Sequence, residues 1–240
     1  TGYNNVAVGC NALDYNTTGN SNTAVGRHAL GLNSIGTHNT AVGRGSLQVN
    51  TSATHNTAVG SFASHNTSTG GENVAVGYGT LFTNTQGAGN VAIGRNALYY
   101  NQTEGQSVAV GYEALTNNTS GALTAVGYQA LKGNTSGTYN TAFGYRALLN
   151  NTTAQRNTAV GNQALDANTT GDSNTGVGFN SLGANTTGAY NTALGEAALE
   201  DNTQGNYNTA LGYYALERNT TASGNTAVGQ QALQLNTTGA

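Results

Sequence analysis

The chain has 240 residues, 35 of them Gly, with no Pro, Met or Trp, a single Cys and a formal net charge of −3. Only 7% of its residues are charged, against about a quarter in a typical soluble domain, and its seven Lys and Arg are scattered, which excludes a nucleic-acid footprint. No apolar run approaches the ~18 residues of a membrane-spanning helix, and the lone Cys10 excludes an internal disulfide framework.

Disorder is disfavoured by the low net charge and by regularly spaced apolar residues. Their spacing is an internal repeat of 17 residues, N-T-A-V-G-x-x-A-L-x-x-N-T-T-G-x-x. Copies start at Asn5, Asn22, Asn39, Asn56, Asn73, Asn90, Ser107, Leu123, Asn140, Asn157, Asn174, Asn191, Asn208 and Asn225. Only the interval from Ser107 to Leu123 is shorter, at 16 residues. Position five is Gly in every copy, and position four is always Val, Ile, Leu or Phe. Position three is Ala except at Gly176, and position nine is Leu except at Ser64.

Each repeat reads, in chain order, as one coil of a solenoid. N-T-A-V is short, β-branched and alternating, which predicts a strand. The Gly at position five predicts a corner that needs positive φ or close backbone approach. A-L is expected to form a second short strand, and N-T-T-G a turn in which Gly supplies positive φ. The absence of Pro suits stacked ladders. Fourteen coils at about 4.8 Å each give a rod on the order of 65 Å long, with Asn at positions one and twelve aligned into hydrogen-bonding ladders. The fold class is therefore all-β, a parallel β-solenoid of about fourteen 17-residue coils. Residues 1–240 form a single repeat array, which reads as a fragment of a longer fibre protein.

Parity places positions two and four on one side of the strand and Ala on the other. Positions two and four are expected to fill the coil, and the Ala face to lie against a symmetric partner chain. Ala and Leu at positions eight and nine are expected to point to opposite sides. The variable positions six, seven, ten, eleven, sixteen and seventeen are assigned to the solvent face.

N-T-A-V-G, N-V-A-I-G at Asn90–Gly94 and S-V-A-V-G at Ser107–Gly111 resemble the head repeats of trimeric autotransporter adhesins. The longer N-T-A-x-G-x-x-A-L-x-x-N-T-T-G form is similar to repeats of bacterial surface and phage-type tail fibre proteins. The resemblance covers all 240 residues and departs from the adhesin heads in its longer period. It implies a left-handed β-roll, a homotrimer around one axis, and a place in an extracellular, cell-surface or virion tail fibre.

The functional expectation is a structural stalk or head segment of an adhesive fibre, supporting surface attachment or host recognition. The expected partner is the chain itself, with a cell-surface glycan or protein receptor as a further partner. Neither nucleic acid nor membrane insertion is expected of this segment. An intermittent aromatic row at position six, Tyr78, Tyr112, Tyr128, Tyr145, Phe179 and Tyr213, is the candidate surface binding row. Packing between coils or chains is the plainer role for it, and sugar binding the sharper one. A carbohydrate-binding solenoid using this row is one alternative function. An ice-binding solenoid is the other, using Thr at positions two and thirteen. Its weakness is that position two alternates with Val, as an inward position does. His38 and His55 share one position of adjacent coils, but no Cys or carboxylate joins them as a metal ligand. Glu196, Glu200, Asp201 and Glu217 cluster without the cleft that paired-acid catalysis needs. Triplets such as Asn16-Thr17-Thr18 match the N-glycosylation pattern and are explained equally by turn chemistry. No cofactor, metal or enzymatic activity is expected.

Overall fold

The computed structural model describes residues 2–239. The chain is an all-β parallel β-solenoid, each repeat supplying one three-residue strand, with no helix among the described residues. It divides into two compact units, Thr1–Gly121 and Ala122–Ala240, and the division falls at the repeat that is one residue short.

The first unit holds β1 (Val6–Val8), β2 (Thr23–Val25), β3 (Thr40–Val42), β4 (Thr57–Val59), β5 (Val74–Val76), β6 (Val91–Ile93) and β7 (Val108–Val110). The second holds β8 (Thr124–Val126), β9 (Thr141–Phe143), β10 (Thr158–Val160), β11 (Thr175–Val177), β12 (Thr192–Leu194), β13 (Thr209–Leu211) and β14 (Thr226–Val228). Within each unit, successive strands pair in parallel so that equivalent repeat positions face each other. Between β10 and β11, for example, Thr158 meets Thr175, Ala159 meets Gly176 and Val160 meets Val177.

The side-chain sense is the reverse of the expected one. Ala at position three is buried from Ala24 to Ala227, whereas positions two and four face outward, with strand patterns alternating half-buried or exposed, buried, half-buried or exposed. The cause is a narrow coil. A methyl built on Gly176 would lie 3.1 Å from Ser181 Oγ and 3.4 Å from Leu165 Cγ. One Cβ fills the gap between the strand and the opposite side of the coil, so larger side chains are forced out.

A-L is not a second strand. Positions six to eleven form a continuous turn, and the Leu of position nine takes a left-handed conformation, as at Leu165 (φ 53°) and Leu182 (φ 53°). This conformation is uncommon for a residue with a Cβ. Here it lets two consecutive residues point inward, so Ala164 and Leu165 are both fully buried. The coils still bond to one another there, with Leu165 N–H donating to Ser181 O at 3.0 Å.

Gly at position five has both properties anticipated for it. Gly212 has φ +135°, and a Cβ there would approach Gly229 O at 2.5 Å. The turn Gly at position fifteen, such as Gly188, lies outside the positive-φ region; positions seven and seventeen, at His28 (φ 59°) and Tyr190 (φ 59°), carry the left-handed conformations instead.

The Asn ladders form, but as core rather than as surface turn chemistry. Asn185 Nδ2 donates to Asn168 Oδ1 at 2.8 Å and to Gly188 O at 2.9 Å. Asn174, at position one of the same coil, donates its Nδ2 to the same Gly188 O at 2.8 Å, and its Oδ1 accepts the Asn191 N–H at 2.9 Å. All four of these amides are fully buried. A third ladder runs through the position-thirteen hydroxyls, with Thr169 Oγ1 donating to Thr186 O and Thr186 Oγ1 to Thr203 O, each at 3.0 Å.

The fourth coil interrupts this order. Ser64 replaces Leu, is 1% exposed, and its Oγ has no partner. Thr67 occupies the buried ladder site in place of Asn, and Asn50 Oδ1 is left unpaired. Asn66 lies one residue earlier.

Two stability outcomes follow. Gly212→Ala places a Cβ in a glycine-only conformation against the next coil's backbone, at a cost of about 1–3 kcal/mol from the backbone alone; the thermal midpoint by circular dichroism falls. Ser64→Leu restores a side chain in the column that Leu47 and Leu81 already build and removes a buried orphan hydroxyl. It stabilises the first unit by about 1–3 kcal/mol, read as a higher urea midpoint.

Candidate functional site

Two outward surfaces carry exposed apolar or aromatic side chains in repeated positions. The first is the position-four row. Val160 is 37% exposed, Leu194 45% and Phe143 55%. The parallel register sets each of these beside its equivalent in the adjacent strand, as Leu194 beside Leu211. Each unit thus carries an aligned apolar row on the outer face of its strands, more than the scattered single apolar residues normal on a protein surface.

The second is aromatic. Every member of the position-six row, Tyr78, Tyr112, Tyr128, Tyr145, Phe179 and Tyr213, is exposed, but they do not form one platform. In the first unit Arg95 separates Tyr78 from Tyr112, its guanidinium 5.8 and 5.9 Å from the two ring centroids, a cation–π arrangement. In the second unit Tyr128 and Tyr145 stack with centroids 5.2 Å apart. Tyr213 instead meets Tyr214 edge-on at 4.1 Å.

The denser aromatic cluster lies at position ten. His65, Phe82 and Tyr99 belong to three consecutive coils and stack in a column, at 5.1 Å for each step. Phe62 packs edge-on to both Phe82 and Tyr78. Alignment of position ten across copies reveals three successive aromatics there, a signal that a search confined to position six passes over. Burial, with the neighbouring Tyr100 and Tyr78, raises the Tyr99 hydroxyl above the ordinary tyrosine range.

The other sequence candidates take simple geometries. His38 and His55 stack face to face, centroids 5.0 Å apart and planes 3° from parallel, so their ring nitrogens sit side by side rather than converging. No group of three or more His, Cys, Asp or Glu able to hold a metal ion gathers among the described residues. Cys10 is an exposed free thiol.

In the acidic group, burial raises the Glu200 carboxyl, Asp201 adds to the rise, and a hydrogen bond from Asn180 Nδ2 at 2.6 Å opposes it. Asp166 is raised in the same way, burial outweighing its ion pair with Arg146 at 3.5 Å.

Comparison with protein-family models, with curated proteins and with solved structures gives no match.

The raised carboxyls set a pH dependence. A folded-state pKa above the unfolded one means that the folded chain binds the proton more tightly, so stability falls as pH rises through that window. The melting temperature accordingly increases as the buffer is taken from neutral pH down toward the ordinary Glu value of 4.5. Glu200→Gln reduces that slope in parallel thermal scans.

Proposed function

We propose that this chain is a structural segment of an extracellular homotrimeric adhesive fibre, spacing or presenting a recognition element on a cell surface or virion tail. The observation that carries this reading is the outward position-four row: it faces away from the coil interior yet stays Val, Ile, Leu or Phe in all fourteen copies. Coil geometry does not demand apolar residues there. A partner surface does, and a symmetric assembly of identical chains supplies one. The contact face is the outer face of the strands, not the Ala face that parity alone suggested, since Ala is spent on the coil's own core. The number three and the extracellular setting rest on the resemblance of the N-T-A-V-G repeats to adhesin heads.

The ice-binding alternative gains one point, because Thr158, Thr175 and Thr192 at position two lie on the outward face. It loses two others. The position-thirteen hydroxyls are committed as donors to neighbouring coils, and Phe143 and Leu194 make the outward face uneven beside Val. The fibre reading is therefore preferred.

Light scattering on the segment tests it. A mass near three 24.2 kDa chains is expected. The double variant Val160→Asp with Leu194→Asp places charges on the contact face, where burial without partners is costly, and drops the mass to one chain. Because both sites face outward within the coil, the variant retains the far-UV spectrum of a folded solenoid. A folded, monomeric parent chain overturns the reading.

A further inference from the structure

The position-ten column encloses a notch in the first unit. Position seven carries Phe62 in the fourth coil and Asn96 in the sixth, but Gly79 in the fifth. The missing side chain opens a cavity of about 170 Å³ lined by Phe62, Tyr78, Gly79, Phe82 and Tyr99. Tyr78 and Tyr99 also line an adjoining, more polar cavity of about 370 Å³ with Asn96, Glu113 and Thr116. The groove is therefore split, aromatic at one end and lined by amide, carboxylate and hydroxyl groups at the other.

Asn96 lies at the seam. Its Oδ1 is buried and has no hydrogen-bond partner, and a methyl built on Gly79 would sit 2.9 Å from it. Whichever end of the amide turns inward, that atom requires a partner, and a buried polar atom without one is costly. Only the gap at Gly79 separates it from the notch. A side chain there would intrude on the notch, crowd Asn96 and touch the Tyr99 ring, which lies 3.4 Å from the same methyl position.

We propose that this groove binds a neutral pyranose sugar. The stacked column turns apolar ring edges to the groove, against which the C–H groups of a sugar ring can pack. The polar end pairs with hydroxyls: Asn96 lines it, and a turn of its amide toward the groove gives the orphaned oxygen a sugar hydroxyl as partner. The aromatic cavity is smaller than the roughly 300 Å³ lower bound for drug-sized ligands, which suits one ring with its substituents reaching the polar end. Glu113 is the charged side chain that lines the groove; Arg44 and Arg95 stand over the Phe62 and Tyr78 rings without lining either cavity, so nothing in the lining pairs directly with an anion. This inference is independent of the oligomeric state and centres recognition on the fourth to sixth coils, where Tyr78 of the position-six row joins the position-ten column.

Saturation-transfer NMR on the 240-residue chain tests it, with methyl β-D-glucopyranoside, methyl β-D-galactopyranoside and N-acetyl-D-glucosamine as probes. Saturable binding with a millimolar dissociation constant is expected for at least one of them, as is usual for a single-ring contact of about 4 kcal/mol. The signals are strongest on the C–H groups of one ring face. Gly79→Ala puts a methyl into the notch against Asn96 Oδ1 and weakens binding about threefold, and Tyr99→Leu removes an aromatic wall and weakens it about tenfold. Gly79→Ala retains the fold, since Ala197 occupies the same repeat position with φ 54°. Tyr213→Ala, outside the groove, leaves binding unchanged. Absence of saturable binding for all three probes overturns the proposal, as does undiminished binding in both groove variants.

Discussion

The structure depends on two asparagine amides meeting at one backbone carbonyl in every regular coil. In the coil that begins at Asn174, the Nδ2 groups of Asn174 and Asn185 both end on Gly188 O, while their Oδ1 atoms accept from the next coil. Each amide closes its own loop and grips its neighbour. Because these groups are buried, a slip of one residue would orphan several donors and acceptors at once, at a few kcal/mol in each coil. The identical register of successive strand pairs within each unit follows from that penalty. Strands of three residues with Ala at the centre contribute too little apolar area to fix register alone.

The polar column also explains the thinness of the coil. Its interior is Ala, Leu and Asn, with no space beyond a methyl opposite the strand, as Gly176 demonstrates. Val and Thr are thereby displaced to the outside, where their branched side chains still favour the extended backbone. The outer face is apolar because of what must cover it, and the inner face is partly polar because of how it is held in register. Hydrophobic-inside reasoning inverts the two.

That inversion marks the limit of what the sequence discloses. The period, the solenoid class, the N-T-A-V strand and the Gly corner are legible because each repeats as a local rule, whereas the expected A-L strand is a turn. The Asn ladders are legible because stacking brings equivalent residues together. The direction in which the strand faces is not, since parity separates Ala from Val without saying which is inside. Leu165 is also beyond local reasoning. A left-handed leucine contradicts its propensity, and only the tertiary gain of burying Ala164 and Leu165 together accounts for it. At the candidate sites, position six is visible because Tyr recurs there. The groove depends on a side chain that is absent, Gly79, beside an amide whose partner is missing.

The asparagine and threonine ladders run in opposite senses. Asn Nδ2 groups point toward the preceding coil, as from Asn185 to Asn168, whereas the threonine hydroxyls point toward the following one, as from Thr169 to Thr186. In an α-helix every peptide dipole adds, so its ends acquire partial charge. Here the amide and hydroxyl dipoles oppose one another within every regular coil. A repeat can therefore be duplicated or deleted without breaking either side-chain ladder, since each new coil brings its own amide donor for the coil before it and its own hydroxyl donor for the coil after it, and array length is free to change by whole units.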